Sequence, residues 1–126
     1  MTVQYALISG GASASFPEGH GLAGTPVDIA RAEVIVAIGG ATYRDASKKA
    51  VAIELGSRFL ADEIGLDAAD DAANVVGFAR YRNGADAPSH LVELVRAAWT
   101  DDAAVAAARA VFEDAGLAVS VCTDQP

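Results

Sequence analysis

The sequence has little cysteine, few aromatic residues and no long apolar segment. Cys122 is its one cysteine, so the chain has no internal disulfide and lacks the cysteine pair or cysteine–histidine cluster of a zinc site. No apolar run approaches the roughly 18 to 20 residues that a membrane span needs. The N-terminus also lacks the basic stretch and apolar segment of a secretory signal. We therefore expect a cytoplasmic protein with no bound metal and no membrane contact.

Basic residues are also scarce. The chain has 9 Lys and Arg against 17 Asp and Glu, which gives a formal net charge of −8. A polyanion would meet net repulsion and would find no dense basic stripe from which to release counterions. Nucleic acid is therefore excluded as an expected partner.

Length and composition favour one layered domain. The 126 residues are 52% hydrophobic and 6% aromatic. A chain of this size buries about two-thirds of its unfolded surface, which is enough for one sheet and a few helices. Many small apolar side chains are typical of helices packed closely on a sheet, so the expected class is α/β.

Short apolar segments that end at glycine or polar residues predict six strands. The third is ambiguous, because residues 45–64 also fit one amphipathic helix, although Gly56 and the β-branched Val51 and Ile53 count against it. The six predicted strands cover residues 3–9, 33–38, 50–55, 74–81, 91–95 and 117–122.

The clearest helix is predicted over residues 101–115. Thr100 is the expected N-cap and Gly116 the expected stop. A shorter helix is predicted from Thr25 as N-cap and Pro26 as first helical residue to about residue 32. Residues 60–71 are expected to be partly helical. On the long helix, the expected buried face is Ala104, Ala108, Val111, Phe112 and Ala115, and the expected exposed side chains are Asp102, Arg109 and Glu113.

A glycine-rich segment follows the first strand, where a dinucleotide-binding fold carries its G-x-G-x-x-G turn. Here the segment reads G-G-A-S-A-S from Gly10, and Ala12 and Ser15 take the places of the second and third glycines. The many glycines, serines and Pro17 predict a loop over residues 10–24. Gly10, Gly11 and Ser13 are nevertheless the candidate cofactor-binding residues.

Several other side chains have both a chemical and a structural interpretation. His20 and His90 are either general bases or surface residues. Glu93 is either on the solvent side of a strand or a partly buried acid with a raised pKa. Cys122 is expected to be an unreactive core residue. Three arginines either bind an anion or are simply solvated: Arg80, Arg82 and Arg96.

Three segments of the second half have a recognisable order and spacing. They are N-V-V-G-F-A-R-Y-R-N at residues 74–83, H-L-V-E-L-V-R at 90–96, and the helix and strand that begin at T-D-D-A-A-V. Over residues 50–126 this order resembles the NAD-binding domain of 3-hydroxyacyl-CoA dehydrogenases. The resemblance implies a Rossmann-like fold and a role in fatty acid metabolism, in which an NAD-dependent enzyme oxidises a 3-hydroxyacyl-CoA to a 3-ketoacyl-CoA.

The resemblance also shows what this chain lacks. The family's catalytic histidine falls on Ala79, which cannot accept a proton. The glutamate that orients the histidine falls on Glu93, and one hydroxyl position falls on Ser57, but the nearby asparagine position is Leu55. The glycine fingerprint is degraded, and residues 40–50 are too few to hold the helix that normally separates two strands.

This pattern is similar to the reduced, degenerate Rossmann-like domain that occurs as a second copy in some longer dehydrogenases. It implies a single domain over residues 1–126 with about six mostly parallel strands and few helices, as a fragment that precedes a helical dimerisation domain. The expected role is a non-catalytic scaffold with interdomain contacts, and NAD is the cofactor of the parent family.

Two alternatives remain open at this stage. The domain binds a nucleotide or the CoA part of an acyl-CoA without chemistry, through the Gly10–Ser15 loop or through Arg80 and Arg82. Alternatively, it is a weak enzyme that uses His20 or His90 in place of the lost base.

Overall fold

The computed structural model describes residues 3–13, 16, 22, 24–55, 73–80 and 90–123. Predictions that involve residues 56–72, which include Ser57 and the proposed helix over 60–71, lie outside the described residues. The described elements are strands β1 (Tyr5–Ser9), β2 (Val34–Ile38), β3 (Ala50–Glu54), β4 (Val75–Arg80), β5 (Leu91–Arg96) and β6 (Ala118–Thr123), a 3₁₀ turn (Ile29–Arg31) and helix α1 (Asp102–Asp114).

The six strands form one sheet in the order β1-β2-β3-β4-β5-β6. Strands β1 to β4 are parallel, β5 is antiparallel to β4, and β6 is parallel to β5. The apolar sequences of β2 and of the first four residues of β3 explain why both strands lie inside the sheet, since a parallel strand that is covered on both faces needs no polar alternation. The predicted reduced Rossmann-like α/β fold and all six predicted strands are therefore confirmed.

The sheet is wound in one direction from β1. In a doubly wound fold the first strand lies inside the sheet, and the strand order reverses beside it. In the described sheet β1 is an edge strand that pairs with β2 alone. The described part of this chain thus corresponds to one half of a doubly wound sheet.

Helix α1 and an aromatic cluster cover one face of the sheet, which we call the helix face. Phe16, Phe78 and Phe112 are fully buried there. The ring centroid of Phe16 lies 5.9 Å from that of Phe78 and 5.8 Å from that of Phe112. Aromatic pairs at these separations add stabilisation beyond their buried area. Phe16 therefore ties the glycine-rich segment to the core.

The opposite face buries a second cluster of apolar side chains from the central strands. Val27 and Tyr43 pack against this cluster from connecting segments, and Trp99 packs against it from the turn before α1. Its buried members include Ile35, Ala37, Val51, Ile53, Leu55 and Val75.

Helix α1 confirms the prediction, apart from its cap and one residue of its buried face. Its N-cap is Asp101, and Thr100 instead accepts a hydrogen bond at Oγ1 from the Ala97 N–H at 2.9 Å, which closes the turn before the helix. The two residues are adjacent and both suit an N-cap, so composition does not separate them. Val105 is buried although it was not expected on this face, and Ala115, which was expected to be buried, is half-buried. Gly116 ends the helix at φ +84°.

The prediction for the segment after Thr25 was wrong in its start and helix type. The predicted helix from Pro26 is a 3₁₀ turn that begins at Ile29, with Asp28 as its N-cap. The Lys48 ammonium donates hydrogen bonds to the carbonyls of Ile29 and Ala32, which anchors this turn from a distant part of the chain. The alternative helix over 45–64 is excluded at β3. Within the described ranges, no helix is long and apolar enough to cross a membrane.

Candidate functional site

The turns after β1 and β2 are in backbone contact at the carboxyl edge of the parallel strands. The Gly10 N–H donates a hydrogen bond to the Ile38 carbonyl at 3.0 Å. A Cβ on Gly10 would lie 2.8 Å from the Ala41 nitrogen, and a Cβ on Gly39, whose φ is +64°, would collide with the Gly11 carbonyl. Both glycines are therefore needed for the close approach of the two turns.

A buried carboxylate lies behind this contact. Glu54, the last residue of β3, accepts a hydrogen bond at Oε2 from the Ser13 hydroxyl at 2.9 Å. Its Oε1 accepts one from the Gly39 N–H at 2.8 Å. Ser13 is 7% exposed and Glu54 is 8% exposed. Hydrogen bonds to a charged acceptor are about twice as strong as neutral ones, so this pair fixes the glycine turn.

Ser13 also links the carboxylate to the core. Its Oγ accepts a hydrogen bond from the Phe16 N–H at 3.0 Å while its hydroxyl hydrogen is donated to Glu54. The Arg80 guanidinium lies 5.1 Å from the centroid of the Phe16 ring, and burial lowers the pKa of Arg80. Ser13 and Phe16 of the glycine-rich segment thus point their side chains into the protein.

These contacts do not fit a dinucleotide. A pyrophosphate is normally held by the N-terminal amides of a helix that follows the glycine turn. Among residues 10–13, 16, 22 and 24–28 none is helical. A nucleotide also spans the point where strand order reverses, and β1 is at the edge of the described sheet.

A second group of candidate residues lies at the end of β3 and β4. Ala79 pairs directly with Glu93 across the antiparallel ladder between β4 and β5. Paired residues share one face of a sheet, so the two positions that the family resemblance relates do lie side by side. Leu55 is buried beside them, and its side chain fills the space that a Cβ on Gly77 would need. Leu55 therefore packs against β4 on the side of Ala79 away from Glu93.

Glu93 is exposed, so its predicted solvent-side position is confirmed. Its Oε1 accepts a hydrogen bond from the Cys122 thiol, with an Sγ to Oε1 distance of 3.3 Å. The prediction that Cys122 is a core residue was wrong. Strand β6 lies at the edge of the sheet, and Cys122 is half-buried beside the Glu93 carboxylate.

The remaining candidates do not join either group. His90 is exposed, and its carbonyl accepts the Ala118 N–H at 2.8 Å. The Arg96 guanidinium lies 2.6 Å from an Asp102 carboxylate oxygen and also donates to the Thr100 carbonyl, so it is engaged within its own turn. His20 and Arg82 lie outside the described residues. No group of three acidic, histidine or cysteine side chains suited to a metal ion occurs in the described ranges.

Two residues of the site were not singled out from the sequence. Glu54 is the one acidic residue in the strand A-V-A-I-E, and a charge that ends an apolar strand at the carboxyl edge of a parallel sheet is a signal for a buried contact. Phe16 is the one Phe, Tyr or Trp in a segment rich in glycine and serine, residues 10–24. A lone aromatic in such a segment indicates an anchor to the core.

Solved structures show what fold this is, whereas no protein-family model and no curated protein matches the chain. It is similar to (S)-3-hydroxybutyryl-CoA dehydrogenase PaaH1 from Ralstonia eutropha, with a TM-score of 0.58 and 16% identity over 82% of this chain and 40% of that one. It is also similar to FadB2 of M. tuberculosis, with a TM-score of 0.53 and 21% identity over 78% of this chain and 38% of that one. This chain therefore has a reduced Rossmann-like fold similar to part of a 3-hydroxyacyl-CoA dehydrogenase, and it spans about 40% of the length of the structures that it matches.

Proposed function

We propose that this chain is a reduced Rossmann-like domain of a 3-hydroxyacyl-CoA dehydrogenase that transfers no hydride itself and serves as a scaffold for interdomain contacts. The observation that carries the proposal is the pair Ala79 and Glu93. The carboxylate that would orient a catalytic histidine is present, and the residue directly opposite has no group that accepts a proton.

The surroundings of this pair support the loss of chemistry. A general base works when it lies within hydrogen-bond reach of the substrate hydroxyl. The polar position that the family places nearby is filled by the buried Leu55, and Glu93 accepts its hydrogen bond from Cys122. The described residues around Ala79 thus favour a structural role for this region over proton transfer.

The scaffold role follows from the exposed end of the sheet. Strand β6 is an edge strand without charged residues, and Leu91 and Val121 at this end are 47% and 39% exposed. Exposed edge strands with apolar side chains are typical sites of contact with another segment. We propose a helical dimerisation domain of the parent enzyme as the partner, with Val121 at the contact, since Leu91 lies on the opposite face of the sheet.

A turnover assay tests the proposal. The chain is mixed with NADH and acetoacetyl-CoA, and NADH absorbance is followed. We expect no protein-dependent oxidation, and a rate that falls when Glu93→Gln is introduced would contradict the non-catalytic role. The double variant His20→Ala, His90→Ala covers the remaining bases, since any rate that depends on these histidines would show a substitute catalytic group.

A binding experiment tests the scaffold role. The isotope-labelled chain is mixed with the separately produced helical domain of a (S)-3-hydroxybutyryl-CoA dehydrogenase, and amide chemical shifts are compared. We expect shifts along β6 that Val121→Ser abolishes, while Ala103→Ser, an exposed substitution on α1, leaves them unchanged. Absence of any shift would contradict the interdomain contact.

A further inference from the structure

The Glu54 carboxylate lies where open parallel sheets bind their ligands. Ligands of α/β sheets bind outside the carboxyl ends of the strands, and backbone N–H groups of the connecting turns hold their anionic parts. Glu54 ends β3 at this edge, and both of its oxygens accept hydrogen bonds from the turns that follow β1 and β2. The chain thus supplies its own anion to these two turns.

The donors that Glu54 occupies are ones that a phosphate would use. Backbone N–H groups and serine hydroxyls are the usual donors to phosphate oxygens in a glycine-rich turn. The Gly39 N–H lies 2.8 Å from Glu54 Oε1, and the Ser13 hydroxyl lies 2.9 Å from Glu54 Oε2. The Phe16 N–H in turn donates to the Ser13 hydroxyl oxygen. Phe16, Ser13 and Glu54 are therefore joined by two successive hydrogen bonds that end on the carboxylate.

Burial strengthens the effect of the charge. Glu54 is 8% exposed, and charges interact more strongly in the protein interior than in water. A phosphate brought to the same donors would meet the carboxylate at close range. The protein as a whole also carries a formal net charge of −8.

We infer that Glu54 is an internal anion that closes the glycine turn and excludes nucleotide phosphates from it. The inference rests on the proposed function, in which the chain transfers no hydride and needs no nucleotide. It assigns to Glu54 the role of a positioning residue that acts through Ser13 and Gly39. The glycine turn is then a structural contact with the core and not a ligand site.

The test compares two variants in each of which glutamine replaces one glutamate. Amide shifts of labelled wild type, Glu54→Gln and Glu113→Gln are followed during titration with inorganic pyrophosphate and with NADH at millimolar concentration. Glutamine keeps an acceptor for Gly39 and removes the charge at the turn. Glu113 is exposed and pairs with Arg109 on α1, so its variant makes the same change in net charge at a distance from the turn.

We expect no saturable shift at Gly10, Gly11 and Gly39 in wild type and in Glu113→Gln. In Glu54→Gln we expect saturable shifts there and an apparent affinity higher by about tenfold or more. Ser13→Ala keeps the Glu54 carboxylate, so we expect no saturable shift of the Gly10, Gly11 and Gly39 amides in this variant either. If Glu54→Gln does not fold, Glu54→Thr removes the charge with a side chain that suits a strand.

Two results would overturn the inference. One is a saturable pyrophosphate shift at the turn of wild type, and the other is an unchanged spectrum in a folded neutral variant. Neither bears on turnover, so the two proposals fail separately. Oxidation of NADH by wild type contradicts the proposed function, whereas pyrophosphate binding without turnover contradicts only the role of Glu54.

Discussion

Ala79 and Glu93 lie directly opposite each other on β4 and β5, and the Glu93 carboxylate accepts a hydrogen bond from Cys122 on the other neighbouring strand. The ladder therefore places the side chain of residue 79 beside a carboxylate. Backbone pairing fixes this position, and it does not depend on which side chain residue 79 carries.

Placing a histidine at position 79 tests this geometry directly. In Ala79→His we expect the imidazole to lie beside Glu93, so its pKa should be raised above the ordinary histidine value, because a nearby carboxylate favours the charged ring. The measurement is an NMR titration of the ring protons. In Ala79→His, Glu93→Gln the pKa should fall back, and an equal pKa in both variants would show that the two side chains do not meet.

The strands were predictable because burial leaves a strong pattern. Buried parallel strands need apolar side chains on both faces, and V-I-V-A-I at β2 fits this pattern without an alternative. The segment A-V-A-I at β3 also fitted a helix, and the β-branched Val51 and Ile53 favoured the strand. The pairing of Ala79 with Glu93 was predictable in part, since a resemblance relates the two positions. The register that brings them together required the structure.

The helix cap, the buried site contact and the burial of Cys122 depend on tertiary contacts that local sequence does not specify. Thr100 and Asp101 both suit an N-cap, and the choice is made by the hydrogen bond from Ala97 to Thr100. The Ser13–Glu54 pair joins residues that are 41 positions apart, which no local spacing predicts. Cys122 has an apolar sequence context, but the edge position of β6 leaves it half-buried.

Leu55 and Gly77 form a matched pair whose coupling is measurable. Gly77→Ala places a methyl group against the Leu55 side chain, so we expect a loss of about 1 to 3 kcal/mol in the free energy of unfolding. Leu55→Ala should cost about 2 to 5 kcal/mol through its cavity. In the double variant the added methyl group fills part of that cavity, so the loss should be smaller than the sum by about 1 kcal/mol. Urea denaturation measures all three, and additive losses would contradict the contact.

The turn at Asp45 predicts an acid-dependent contribution to stability. Hydrogen bonds from the Ser47 hydroxyl and then the Ser47 N–H lower the pKa of Asp45. A depressed carboxyl pKa stabilises the folded state above the unfolded-state pKa, and this contribution is lost as pH falls through the folded-state pKa. In Ser47→Ala we expect the pKa of Asp45 to rise towards its ordinary value, as an NMR titration of its carboxyl carbon would show. An unchanged pKa would contradict the hydroxyl contact.

The Phe16 side chain attaches the glycine turn to the core. Its fully buried ring packs between Phe78 and Phe112, so Phe16→Ala should lower the free energy of unfolding by about 3 to 5 kcal/mol, and Phe16→Leu should cost less. Because the Phe16 N–H is donated to Ser13, loss of the ring should also shift the Gly10, Gly11 and Gly39 amides, which urea denaturation and amide spectra measure together. Val121→Ala, at a partly exposed site on β6, is the control and should leave these amides unchanged. A Phe16→Ala variant as stable as wild type would place the ring outside the core and would leave the turn without an anchor.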